Sequence, residues 1–222
     1  VVISSANRRT EATKAAPRPH DLLRIDASTL IPDDSVSPQE WVSRCLRRTP
    51  WVVVRWSPAN DEVVAVGVRG DDRSQRFAAW VPLSAINQIL SPEDLVGHID
   101  VIDPDFAVAK AAKSASDLFK AFGLTWGVTG SVGFTLATGV NAIHATSDLD
   151  LVVRVSAETV IGDREWRHIS TFLASLPSRV DARISAPIGE ISLDEYVAAA
   201  SEPVLVRTAE GPKLISDPLG AR

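Results

Sequence analysis

Two carboxylates one residue apart, Asp148 and Asp150, stand at the head of the apolar run Leu149-Asp150-Leu151-Val152-Val153. In a strand, residues i and i+2 project from the same face, with Cα atoms roughly 6–7 Å apart. Carboxylates that close repel unless a cation or a proton lies between them. Mg2+ suits such a pair, because it binds one or two carboxylates together with substrate phosphates. Upstream, Gly130-Ser131 opens a short helical segment. Glycine lets the backbone approach an anion, a helix N-terminus presents unpaired N–H groups, and the serine hydroxyl adds a donor. His144 and Ser147, in the loop just before the acids, are further candidates for substrate contact. Together these residues imply metal-assisted displacement at phosphorus on a phosphate-rich substrate.

A third carboxylate follows. In Val180-Asp181-Ala182-Arg183-Ile184, alternation puts Asp181 on a polar face with Arg179 and Arg183. If this strand neighbours the one from Asp148, Asp181 joins the pair, either as a metal ligand or as the general base that takes a hydroxyl proton. An Asp-x-Asp or a Gly-Ser alone is common in solvated strand ends and turns. The strand–turn–helix–strand order, with Asp181 following, is what narrows the reading.

The elements that must position these groups are legible in outline. Asp103-Pro104-Asp105 announces a helix with Val108, Ala112, Ala115, Phe119 and Phe122 at helical spacing, stopped by Gly123. Then come a strand (124–127), the Gly130-Ser131 turn, a helix to Gly139, a strand (148–155), a helix (163–176) and a strand (180–184). A capping box from Ser192 to Glu195 starts another helix. Val204–Thr208 and Lys213–Ser216 flank a terminal hairpin, on which Arg207 and Lys213 could reach a phosphate.

The first half reads as a small α+β module. Ser37, Pro38 and Glu40 signal a helix start, with Trp41, Val42, Cys45 and Leu46 as its apolar stripe. Trp51–Trp56 and Val63–Val68 read as a hairpin, and Phe77–Val81 as a third strand. Ser91-Pro92-Glu93-Asp94 starts a helical turn, and Trp51, Trp56 and Trp80 read as core. Arg69, Arg73 and Arg76 are candidate phosphate contacts, since guanidinium forks match phosphate oxygens. The alternative for them is a solvated edge or a salt bridge with Asp71 or Asp72. The expected organisation is a flexible tail (1–17), an N-terminal module (18–102) and a catalytic domain (103–222).

Composition bounds the rest. Net charge is −5, which argues against a general nucleic-acid binder. Residues 1–80 carry 12 basic and 10 acidic groups, against 11 and 18 in residues 81–222. A single cysteine, Cys45, rules out an internal disulfide framework and fits a cytoplasmic setting. No apolar run reaches the length of a membrane span.

Gly-Ser followed by Asp-x-Asp on the next strand resembles the nucleotidyltransferase fold of the DNA polymerase β type. The 16 residues between Ser131 and Asp148 exceed the usual spacing. A narrower likeness runs through Trp126-Gly127-Val128-Thr129-Gly130-Ser131, Thr138-Gly139, His144 and Ser147 to Leu151. It extends to Arg18-Pro19-His20-Asp21-Leu22-Leu23, Val66 to Trp80, Asp181 to Glu195 and Thr208 to Pro212. These segments resemble the phosphoribosyl-dephospho-CoA transferase (holo-acyl-carrier-protein synthase) of malonate decarboxylase, although Arg24 stands where an apolar residue is expected. The resemblance implies an α+β chain ending in a polymerase β-type domain with a mixed sheet, and catalytic aspartates at Asp148 and Asp150. It implies triphosphoribosyl-dephospho-CoA as donor and a serine of the acyl-carrier subunit as acceptor. The residues alone also accommodate a Mg2+-dependent nucleotidyltransferase with another target, or a non-catalytic nucleotide-binding protein.

Overall fold

The computed structural model describes residues 16–33, 38–58, 60–72, 74–156, 158–200 and 202–220. Most of the expected tail, together with Ser37 and Arg73, lies outside them. The chain is α+β and falls into two compact units, one of residues up to Ser91 with Ala137–Asn141, the other of Pro92–Leu136 and the chain from Ala142 onward. Residues 92–102, assigned from sequence to the first module, therefore belong to the second unit.

The first unit is built on an antiparallel sheet of six strands: β1 (Leu22–Ile25), β2 (Ile31–Pro32), β3 (Trp51–Val54), β4 (Val63–Arg69), β5 (Arg76–Pro82) and β6 (Ile86–Leu90). Their spatial order is β2-β5-β4-β3-β1-β6. The expected hairpin is present, with Val53 opposite Gly67 and Val54 opposite Val66. Helix α1 (Glu40–Arg48) buries Val42, Cys45 and Leu46. Val42 and Leu46 join a core with Leu23, Val52, Val66, Val68 and Val81, among others. The helix begins two residues later than the sequence suggests. Gln39 is its N-cap, without a side-chain cap bond, because the Gln39 amide oxygen instead accepts from Trp41 Nε1 at 2.6 Å. Strands β1, β2 and β6 lack strong period-2 signals, and the sequence reading does not separate them.

The second unit holds a mixed sheet. Its strands are β7 (Thr125–Val128), β8 (Leu149–Arg154), β9 (Val180–Ala186), β10 (Gly189–Ser192), β11 (Val204–Thr208) and β12 (Gly211–Ile215), in the spatial order β12-β11-β10-β9-β8-β7. Only β8 and β9 run parallel. A parallel pair needs a crossover, supplied here by helix α4 (Asp163–Ala174). Its Trp166, Ile169 and Leu173 are buried, and Glu165 Oε2 accepts from Gly162 N–H at 3.2 Å at its start. Helix α2 (Ala107–Ala121) buries Val108, Ala112, Ala115 and Phe119. It stops at Gly123, whose φ of +63° permits the reversal. Helix α3 (Gly130–Thr138) follows β7, and α5 (Leu193–Ala199) begins at Ser192, whose hydroxyl accepts from Glu195 N–H as expected. The apolar sheet face carries Leu149, Leu151, Val153, Ile184, Ile191 and Val206, all buried.

Pro92 to Val101 is bound to this sheet through three contacts. Pro92 O accepts from Val128 N–H, Glu93 Oε1 receives Arg154 Nε at 2.8 Å, and the backbone of Pro92 and Glu93 lies against Gly127. A Cβ at 127 would sit 2.5 Å from Glu93 N. Among the described residues, no helix is long and apolar enough to cross a membrane. Gly127→Ala should lower stability by about 1–3 kcal/mol through overpacking, as read by chemical denaturation. An unchanged midpoint would show that this close approach does not constrain the fold.

Candidate active site

Parallel pairing sets the site. The register places Asp150 directly opposite Asp181, Leu149 opposite Val180 and Val152 opposite Arg183. Paired residues share a sheet face, so Asp150 and Asp181 project together on the face opposite the apolar one. Asp148 immediately precedes β8, and both Asp148 and Asp150 are half-buried. The expected meeting of Asp181 with the acid pair is therefore met at the level of strand register.

Gly130 completes the geometry. Its φ is +59°, a conformation that favours glycine. Any Cβ there would overlap the Asp150 carboxyl group, whose Cγ would lie at 2.7 Å. Thr129 N–H donates to Asp150 O at 2.9 Å, which fastens the turn to the strand that carries the acid. The start of α3 thus lies against the Asp150 carboxylate, and Ser131, 7% exposed, is the next residue.

Asp148 and Asp150 supply hard oxygen donors and fit Mg2+, which is commonly held by two carboxylates while substrate oxygens complete its shell. Asp181 is differently disposed. Its Oδ2 accepts from Arg183 Nη2 at 2.9 Å. Among the described residues, no three His, Cys, Asp or Glu side chains form a group that could hold a metal. The expectation of a three-carboxylate metal set is not met in this arrangement, because Asp181 is engaged by a guanidinium. Burial works against the charge on Arg183. The hydrogen bond it donates to Asp181 and the negative charges of Asp181, Glu190 and Glu195 outweigh it and hold the guanidinium above its ordinary range.

The remaining candidates separate. The Ser147 hydroxyl accepts from His144 N–H at 2.9 Å, and Ser147 N–H returns a bond to His144 O at 3.0 Å, so Ser147 closes the turn that delivers Asp148. Residue His144 is exposed. Arg69 and Arg76 face each other across β4 and β5 in the first unit, joined by a loop rather than a helix; Arg73 is outside the described residues. Asp71 is paired with Arg48 of α1, which holds its carboxyl below the usual range, and Asp72 accepts from Ser74 at 2.6 and 2.7 Å. Arg207 is exposed on the polar face opposite Glu190, whereas Lys213 lies opposite Val206, on the other face, and pairs with Glu210 at 3.1 Å. A cavity of about 580 Å3, lined by Val155, Ile161, Trp166, Ile188 and Leu219, lies at the other end of β8 and β9 and contains none of these acids.

Sequence reading missed the coupling of Arg183 to Asp181 and the buried acid Glu190. Alternation had put Arg183 on the right face. Glu190, 2% exposed, gave no signal, because β10 is a four-residue strand beside a tight turn.

Comparison with known families settles the lineage. Residues 94–218 match the model described as phosphoribosyl-dephospho-CoA transferase MdcG C-terminal domain, and residues 18–92 match its N-terminal domain. The chain belongs to the phosphoribosyl-dephospho-CoA transferase family. Relatives bearing that name include proteins of Azotobacter vinelandii (38% identical, covering 93% of this chain and 96% of the relative) and Pseudomonas aeruginosa (38%, 92% and 95%). Another, from Klebsiella pneumoniae, is 35% identical over 92% of this chain and 97% of its own. No solved structure matches. As a member of this transferase family the chain is an enzyme, and its family models meet where the two units divide.

Gly130→Ala should cost clearly more stability than Gly123→Ala. Both positions have positive φ, and each substitution forfeits about 1–2 kcal/mol of backbone preference. Only at 130 does the new methyl meet a carboxylate. Denaturation midpoints of the two variants compare these costs; equal losses would mean that the Asp150 contact is unimportant.

Proposed function

We propose that this enzyme transfers the 2′-(5″-phosphoribosyl)-3′-dephospho-CoA group from its 5″-triphosphate onto a serine of the acyl-carrier subunit of malonate decarboxylase, in the cytoplasm. The serine oxygen bonds to the α-phosphorus, the bond from that phosphorus to the bridging oxygen breaks, and diphosphate departs. The serine proton passes to a carboxylate, for which Asp181 is the candidate. The observation that carries the reading is the convergence of Asp150, Asp181 and Gly130 in a chain whose two family matches span residues 18–92 and 94–218.

Each group has a task. Asp148 and Asp150 would hold Mg2+, which when bound supplies positive charge to the phosphates. Gly130 lets the Asp150 carboxylate pack against the turn, and the N-terminus of α3 with Ser131 offers donors to a phosphate oxygen. The turn closed by Ser147 fixes Asp148 at the mouth of the site. Arg69 and Arg76, in the N-terminal unit, are candidates for contact with the substrate phosphates or an acidic carrier surface.

Incubation with triphosphoribosyl-dephospho-CoA, the apo carrier and Mg2+ should add the mass of the prosthetic group to the carrier and release diphosphate. Intact-mass analysis reads both donor and acceptor, and an unmodified carrier overturns the assignment. Asp150→Ala should slow transfer roughly 100-fold or more, and a chelator should stop it. Transfer at the wild-type rate by folded Asp150→Ala would refute the metal-site reading.

A further inference from the structure

The ion pair between Asp181 and Arg183 conflicts with the work assigned to Asp181. The Asp181 oxygen that accepts the Arg183 hydrogen bond is occupied by the guanidinium and is not open to an incoming hydroxyl. Arg183 stands two residues beyond Asp181 on the same strand face, and its side chain folds back along β9 to reach Asp181 Oδ2. The guanidinium is thereby held beside the carboxylate that lies next to Asp150. It is half-buried, and one of its five N–H groups makes the bond to Asp181.

The charges of this face favour a second partner for it. Asp150 and Asp181 pair across β8 and β9 on this face, Asp148 immediately precedes β8, and the buried Glu190 lies farther along the same face, opposite Ser185. A triphosphate brought here meets strong repulsion unless cations offset it. Arg154 is committed, with Nε on Glu93 at 2.8 Å and Nη1 on Ser185 at 2.9 Å. Arg179 and Arg207 are on the same face but exposed, where ion pairs contribute little. Arg183 combines partial burial, a planar fork suited to phosphate oxygens and a place beside Asp181, which pairs with Asp150.

Resting on the transferase reading above, we infer that Arg183 is a phosphate-contacting residue that exchanges Asp181 for the substrate triphosphate, so that substrate arrival itself releases the Asp181 carboxylate. Before binding, Asp181 and Arg183 satisfy each other in a half-buried setting. On binding, phosphate oxygens take the guanidinium, and Asp181 becomes available to the incoming hydroxyl only when the leaving group is already seated. Such an exchange disfavours proton removal from an acceptor that arrives without its donor.

The test uses the full chain, metal-free, titrated with inorganic triphosphate in a calorimeter. Arg183→Gln should weaken binding on the order of tenfold or more. Arg183→Lys, which keeps the charge but not the fork, should fall between Arg183→Gln and wild type and serves if the Gln variant does not fold. Asp181→Asn should tighten binding, and should tighten it more than Asp148→Asn, which removes the same charge without releasing Arg183. The excess gain should vanish in Asp181→Asn/Arg183→Gln. A purely structural Arg183 would give equal affinity in wild type and the folded Arg183 variants, or the same gain from Asp181→Asn with and without Arg183. Either result overturns the inference, as does the absence of triphosphate binding in every variant. Carrier modification by the same wild-type preparation reports separately on the transferase reading. If it proceeds while these shifts are missing, only the role of Arg183 fails.

Discussion

Parallel alignment of β8 and β9 in one register is the constraint on which the rest depends. It makes Asp150 and Asp181 lateral neighbours, although 30 residues separate them in sequence. Parallel strands cannot be joined by a tight turn. Helix α4 must therefore intervene, and its buried Trp166, Ile169 and Leu173 are what keep the crossover on the sheet. A slip of one residue would send Asp181 into the apolar layer and Ala182 onto the polar face. The unbroken row of buried aliphatic side chains on the other face specifies against that slip.

The same face poses an electrostatic problem, met locally. Acids lie on it, and its two partly buried arginines are held by named partners: Arg154 by Glu93 and Ser185, Arg183 by Asp181. Burying an unpaired charge is far more costly than burying a hydrogen-bonded one. The site is thus assembled from charges that satisfy one another at rest and can be redistributed when a polyanion enters. Gly130 adds room instead of charge, since the space a side chain would occupy is filled by the Asp150 carboxylate.

Much of this was legible in the chain. The alternation in Leu149–Arg154 and Val180–Ile184 announced which side chains share a face, because period-2 patterning survives whatever the tertiary context. Gly123 and the Ser192–Glu195 cap marked helix ends through local stereochemistry, which sequence carries directly. Other features depend on partners distant in the chain. Gln39 replaces the expected cap because its amide accepts from Trp41 Nε1, a bond that no spacing rule anticipates. Asp71 pairs with Arg48 of α1, 23 positions away in sequence. The Asp181–Arg183 bond lies two residues apart, yet alternation shows only that the side chains share a face, not that they bind.

The segment from Pro92 to Val101, which the sequence marks as a helical turn of the N-terminal module, belongs to the second unit. Glu93 is the carboxylate that receives Arg154, and Arg154 is mostly enclosed. The second unit consequently carries its own N-terminal strap. Excision at residue 103 would leave a guanidinium stranded in the sheet and bare the β7 edge at Val128. The second unit therefore begins no later than Pro92, close to where the two family matches also meet.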